Sequence, residues 1–129
     1  LFVSLNMRKL QSTNTSNLKQ LVTLCPISYT LTLVGGRWKP LIINRLMKQP
    51  MRYSELKKSI PFVTERALTL QLKELEQDGL IQKIIHQEKP PRNIEYLLTE
   101  KGRSLHPVLS ALYEWGKENN QPILMEIAP

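Results

Sequence analysis

Apolar residues recur at helical spacing over most of this chain and at alternating spacing over one short part. The first stretch, to about Asn17, is polar and rich in Ser, Thr, Asn and Gln, the composition of a mobile arm. From Leu18 the pattern becomes periodic. Cys25-Pro26 followed by Tyr29, Leu31, Leu33 and Val34 predicts a helix. Pro26 suits its first turn, where a missing N–H costs nothing, and Gly35-Gly36 stops it. A second helix follows at once: Trp38, Leu41, Ile42, Arg45 and Leu46 stand at i, i+3, i+4, i+7 and i+8, and all but Arg45 are apolar. Pro40 is tolerated in its first turn, and Gln49-Pro50 ends it.

Met51-Arg52-Tyr53 reads as a short extended piece, and Ser54 as the N-cap of a brief helix through Lys58 that buries Leu56. Ile60-Pro61-Phe62-Val63 is a turn. Thr64 then caps a longer helix, with Glu65 complementing its dipole, Leu68, Leu72 and Leu75 on its buried face and Gly79 closing it. A short helix, a turn and a longer amphipathic helix make a helix-turn-helix. Ile81, Lys83 and Ile85 alternate with Gln82 and Ile84, and Ile94, Tyr96 and Leu98 with Glu95 and Leu97, which predicts two strands joined through Gln87–Arg92. Such a hairpin directly after a helix-turn-helix is a wing. Thr99 caps a last helix carrying Leu105, Val108, Leu109, Leu112 and Trp115, which Pro107 should bend. The expected fold is mainly α with a small β-hairpin wing: an arm over 1–17, a winged helix-turn-helix domain with terminal dimerisation helices over 18–119, and a tail over 120–129.

Composition narrows the function. At 129 residues the chain has the size of one domain, and 41% hydrophobic with 22% charged residues is ordinary for a globular protein. The formal charge of +7 and pI near 9.7 point to a phosphate-bearing partner or an anionic membrane surface. A single Cys excludes an intrachain disulfide and a Cys-cluster zinc site. No apolar run spans a bilayer, and Leu1 to Leu5 is a short patch followed rather than preceded by Arg8 and Lys9, unlike a signal peptide. A cytoplasmic location is expected. Met7 is a candidate natural start, with residues 1–6 as an extension. His86 and His106 lie on different elements with no Cys or carboxylate at ligand spacing, and there is no Gly-rich phosphate loop or nucleophile motif. The expectation is therefore a non-enzyme without cofactor or metal. Gly35-Gly36 is a helix break.

Several strings together resemble the HxlR-type family of bacterial transcriptional regulators. They are Cys25-Pro26-Ile27-Ser28-Tyr29-Thr30-Leu31, Gly35-Gly36-Arg37-Trp38-Lys39, Arg52-Tyr53-Ser54-Glu55-Leu56, the run from Leu72 through Gly79-Leu80, Pro90-Pro91-Arg92 with Glu95-Tyr96-Leu97-Leu98-Thr99, and Trp115-Gly116. The match runs from about Cys25 to Gly116, and its motifs are specific in this order rather than singly. The resemblance implies a homodimeric winged-helix protein that binds double-stranded DNA at a palindromic operator. It also implies, from several members, sensing of electrophiles, aldehydes or oxidants through a Cys at the position of Cys25. A winged helix used only for protein contacts is the alternative, and it has no need of a basic recognition face.

On that reading the helix after Thr64 enters the major groove. With Leu68 at the centre of the buried face, steps of about 100° put Arg66, Thr69, Leu70, Lys73 and Gln77 on the opposite face. Arg66, in the first turn, is the candidate direct reader, since Arg bonds guanine O6 and N7 together; the alternative is a phosphate clamp or a solvated charge. Thr64 is either a cap or a DNA contact, and Thr69 is a candidate contact with a base or phosphate. Lys73 is assigned to a phosphate. Leu70 departs from the family, which usually has a polar residue there; it is either a scattered surface residue or a partner for a thymine methyl. Arg52, Lys57 and Lys58 are candidate positioning contacts. Lys89 and Arg92 flank a stiff Pro-Pro pair at the wing tip and suit the adjacent minor groove.

Two further expectations concern assembly and sensing. Leu105, Val108, Leu109, Leu112 and Trp115 form a wide apolar stripe, and Leu18, Leu21 and Val22 supply another, so a C2 dimer is expected to bury both; the alternative is that the stripe packs wholly within its own core. Cys25 is either a small structural hydrophobe, the usual place of a free Cys, or the redox sensor that the family resemblance implies. It directly precedes a helix start, where the dipole favours the thiolate, and Lys19 and Arg37 are candidate sources of further positive charge. The disulfides open to it are one with the partner protomer, if symmetry brings the two sulfurs together, or one with a small thiol.

Overall fold

The computed structural model describes residues 13–120. The expected positions in 1–12 and 121–129, including the candidate start at Met7, lie outside the described residues. The chain runs α1 (Thr13–Leu24), α2 (Pro26–Val34), α3 (Lys39–Lys48), β1 (Met51–Arg52), α4 (Tyr53–Ser59), α5 (Glu65–Gln77), β2 (Ile81–Gln87), β3 (Asn93–Leu98), α6 (Glu100–Arg103) and α7 (His106–Asn119). It is a winged helix: α4 and α5 form the helix-turn-helix and β2–β3 the wing.

Local chemistry sets the boundaries. Pro26 and Pro40 sit in the first turns of α2 and α3. The Gly35 N–H closes α2 on the Leu31 carbonyl at 2.7 Å, and Gly36 takes the left-handed φ of 110° that redirects the chain into α3. The Thr64 hydroxyl accepts from the Ala67 N–H at 3.1 Å, and the Thr99 hydroxyl from the Gly102 N–H at 3.1 Å. Gly79 ends the α5 segment with φ 75°.

The core lies where α3, α4 and α5 meet the sheet. Ile42, Ile43 and Leu46 of α3 pack with Leu56, Ile60, Val63, Leu68, Leu72 and Leu75, and with Leu80, Ile81 and Leu98 of the wing base. The sheet is antiparallel in the order β1-β3-β2. Met51 pairs with Tyr96 and Ile81 with Leu98, and the register shifts between Ile85 and Gln87. The extended piece at Met51-Arg52 is thus a third strand, too short to be marked as one by alternation. Beyond Ile81 the wing strand β2 leaves the core, and Ile84 and Ile85 are exposed.

Three boundaries differ from the sequence reading. First, α1 begins at Thr13, so residues 13–17 are helical rather than part of an arm; Thr15 is fully buried, which a polar composition does not announce. Second, Ser54 is not the N-cap of α4. The helix starts at Tyr53 and runs to Ser59, because Arg52 occupies the cap with extended backbone and donates its N–H to Glu55 Oε1 at 2.9 Å. Third, Pro107 does not bend a long helix. The chain breaks at Ser104-Leu105 into α6 and α7, and Pro107 stands in the first turn of α7, where it needs no N–H partner.

Candidate nucleic-acid interface

The candidate recognition face is built on α5. Leu68, Leu72 and Leu75 anchor its inner side, which turns Arg66, Thr69, Leu70, Lys73 and Gln77 outward into solvent. Leu70 is 37% exposed and away from the core, as helical geometry requires. The two threonines are engaged within the fold: Thr64 holds the helix cap, and the Thr69 hydroxyl lies 3.1 Å from the Tyr53 hydroxyl. Tyr53 also donates to the Glu65 carbonyl at 3.2 Å, so one phenol at the head of α4 fixes the first turns of α5. Sequence reasoning missed this role, because Tyr53 sat in a stretch read as extended.

A second tie lies underneath. Lys39, at the start of α3, is buried and its Nζ stands 3.2 Å from Glu74 Oε1 on α5. A charge at a helix start signals nothing about burial, so the pair was not legible. Arg45, also half-buried, meets the Ser59 carbonyl at 3.4 Å through Nε and Nη2. Helix α5 is therefore tied to α3 through Glu74 and to α4 through Glu65 and Thr69, while Arg66, Leu70 and Lys73 on its outer side are exposed.

The remaining basic candidates lie on α4 and in the wing loop. Arg52 is exposed at the cap of α4, Lys58 is exposed and Lys57 half-exposed further along it, and Lys89 and Arg92 are exposed in the wing loop. Gln87 Nε2 donates to the Lys89 carbonyl at 3.1 Å, tying the base of that loop. His86 Nε2 lies 3.6 Å from Glu95 Oε1 across the hairpin. Among the described residues no three His, Cys, Asp or Glu side chains lie close enough to hold a metal. Likewise, no described helix is long and apolar enough to cross a membrane.

The stripes assigned to a dimer divide in two. Val22 is buried within the protomer and Leu105 belongs to its core, with Leu109 packed against it and Leu18 half-buried. Leu21, Val108, Leu112 and Trp115 are exposed, as are Leu24, Ile27, Leu31 and Tyr113. Periodicity alone does not separate the two groups, since α7 turns one side toward α3 and the other to solvent. Between α3 and α7 runs an open groove lined by Leu41, Met47, Leu109, Leu112 and Tyr113.

Cys25 is half-exposed at the N-cap of α2. Hydrogen bonding from Ser28, by its hydroxyl first and its N–H second, holds the Cys25 pKa below the ordinary thiol value of 9.0, with burial opposing and the Ile27 N–H adding a lesser lowering. The lowering comes from the start of the helix, rather than from Lys19 or Arg37. Alkylation by iodoacetamide, which consumes the thiolate, is expected to reach half its maximal rate below pH 9.0. Ser28→Ala should move that midpoint upward. A midpoint unchanged by Ser28→Ala would remove the hydroxyl from this role.

Comparison with known proteins follows the same outline. The family model described as HxlR-like helix-turn-helix matches residues 33–123. The HTH-type transcriptional regulator YybR of Bacillus subtilis is 40% identical over 95 residues, covering 74% of this chain and 75% of its own. An HTH-type regulator of Methanothermobacter thermautotrophicus is 47% identical over 94 residues, covering 73% and 71%. Among solved structures, the redox regulator HypR in its reduced form superimposes with a TM-score of 0.71 at 36% identity, covering 77% of this chain and 97% of that one. Reduced YodB from B. subtilis superimposes with a TM-score of 0.65 at 35% identity, covering 76% and 96%.

Proposed function

The chain belongs to the HxlR-like helix-turn-helix family of transcriptional regulators, and we propose that it acts as a homodimer on a palindromic DNA operator, with Cys25 as its sensor. The observation that carries the DNA reading is the outer face of α5: Arg66, Leu70 and Lys73 stand free on a helix whose inner face is locked to α3 and α4. Arg66 reads a base pair, Leu70 meets a thymine methyl, and Lys73, Arg52, Lys89 and Arg92 neutralise phosphates. Thr64 and Thr69 serve mainly to hold the helix, since their hydroxyls already have partners.

Exposed apolar residues on α1, α2 and α7 support the dimer. C2 symmetry would set two copies of α5 about 34 Å apart, one turn of DNA. The lowered pKa of Cys25 supports the sensor, as do structural relatives described as redox regulators. Its test is operator release under diamide or a quinone. Cys25→Ser should stay bound where the parent lets go; equal release would leave Cys25 a structural residue.

The test of DNA reading is to recover the genomic DNA that the protein retains, then compare variants on that operator and on random duplex. Arg66→Ala should cost about 1–3 kcal/mol on the operator and relax specificity at one base pair. Lys73→Ala should weaken all sequences alike and lower the slope of log K against log salt by about 1. Equal losses on operator and random DNA for Arg66→Ala would show that it binds phosphate instead.

A further inference from the structure

The turn between α4 and α5 holds a residue that folding alone does not favour. Among the described residues, Phe62 is the only non-glycine with positive φ, at 71°. It is also 95% exposed, the most exposed of the large apolar side chains. Its neighbours explain the geometry. Ile60 and Val63 are both in the core, so Pro61 and Phe62 form the tip that reverses the chain between them. A left-handed residue suits that reversal, and glycine would supply it without steric conflict. A bulky aromatic is strained there and gains no burial in return.

The place of the ring is informative. Phe62 lies two positions before Thr64, the N-cap of α5, and four before Arg66. When a recognition helix enters the major groove by its N-terminal residues, the turn just before it lies at the groove wall, where the sugar-phosphate backbone runs. The flanking elements carry Lys57 and Lys58 on α4 and Arg66 on α5 against Glu55 and Glu65, a small positive excess that tolerates a polyanion. A phenyl ring has no charge or donor for phosphate. What it matches at that wall is the apolar face of a deoxyribose.

We propose that Phe62 packs its ring on a deoxyribose at the rim of the major groove, adding affinity without reading sequence. This rests on the DNA-binding reading above and names a contact within it. It explains why a strained, fully exposed aromatic stands at the tip: the ring is buried only in the complex.

The experiment uses the full chain and a random-sequence duplex of about three helical turns at low salt, with thermal unfolding measured in parallel. Phe62→Gly and Phe62→Ala should each weaken binding about tenfold, from loss of a partly buried ring. Phe62→Trp should keep the parent affinity. The slope of log K against log salt should not change in any of the three, because no phosphate contact is lost. Phe62→Gly alone should raise the unfolding midpoint, by about 3–6 °C, because only glycine relieves the backbone. Parent affinity in Phe62→Gly, or a loss confined to one position of the recovered operator, would overturn the proposal. A parent protein that fails to bind duplex DNA at low salt would bring down the DNA reading itself, a different outcome from the first two.

Discussion

Lys39→Ala is expected to destabilise the fold by about 3–5 kcal/mol, the usual cost of removing one partner from a buried ion pair. Lys39 and Glu74 have side chains only 6% and 13% exposed, with Nζ and Oε1 3.2 Å apart. Without the ammonium the Glu74 carboxylate stays largely shielded from water and unpaired. The pair also joins α3 to α5, so the loss falls on the seat of the recognition helix. Replacing both partners, as in Lys39→Met with Glu74→Leu, should recover most of the stability, because no buried charge then remains. Denaturant unfolding at fixed protein concentration checks both. A cost under about 1 kcal/mol for Lys39→Ala would mean that water reaches the pair and supports it as it does at a surface.

The second large effect is expected on α7. Leu112 and Trp115 are 50% and 68% exposed, and a dimer joined through this helix would cover them. Leu112→Glu with Trp115→Glu places two like-charged pairs across the symmetry axis and should leave a folded monomer in sedimentation at micromolar concentration. The affinity for a palindromic operator should then fall about a hundredfold or more. Two linked reading heads gain effective concentration that a single head lacks. The two residues lie outside the core, so the variant should still fold, with an unfolding midpoint lowered only by the stabilisation that association gave the parent and no longer dependent on protein concentration. A variant that remains dimeric would move the joint to the apolar residues of α1 and α2, such as Leu21 and Leu31.

The helix-turn-helix was legible because its signals are local. Thr64 and Gly79 bracket α5, and Leu68, Leu72 and Leu75 repeat at its pitch, so the outward set followed from helical geometry. The wing was legible from alternation near Ile81 and Leu98. What sequence did not show depends on contacts between distant elements. The Lys39–Glu74 pair spans α3 to α5, and Tyr53 meets Thr69 across the turn. Pattern assigned Leu105 and Leu112 to one stripe, yet the first fills the core and the second faces solvent, because the break at Ser104-Leu105 resets the direction of α7. Phe62 was read only as part of a turn, since nothing in an Ile-Pro-Phe-Val string states the sign of φ.

The join between the end of α5 and the start of α6 has a mechanical consequence. The Thr99 N–H donates to the Leu80 carbonyl at 3.0 Å, its hydroxyl to the Gly79 carbonyl at 2.6 Å, and Lys101 Nζ to the Asp78 carbonyl at 3.2 Å. Gly102 is buried so closely against the Leu80 carbonyl that even a methyl group has no room. The end of α5 and the start of α6 are thus clamped at several points within a few residues. In a dimer joined through α7, which follows α6 after the turn at Ser104-Leu105, that clamp would act as one fixed joint in the arm of a calliper. The protein would then measure the distance between half-sites with little play, and an operator lengthened by one base pair would be rejected as firmly as one with a wrong base.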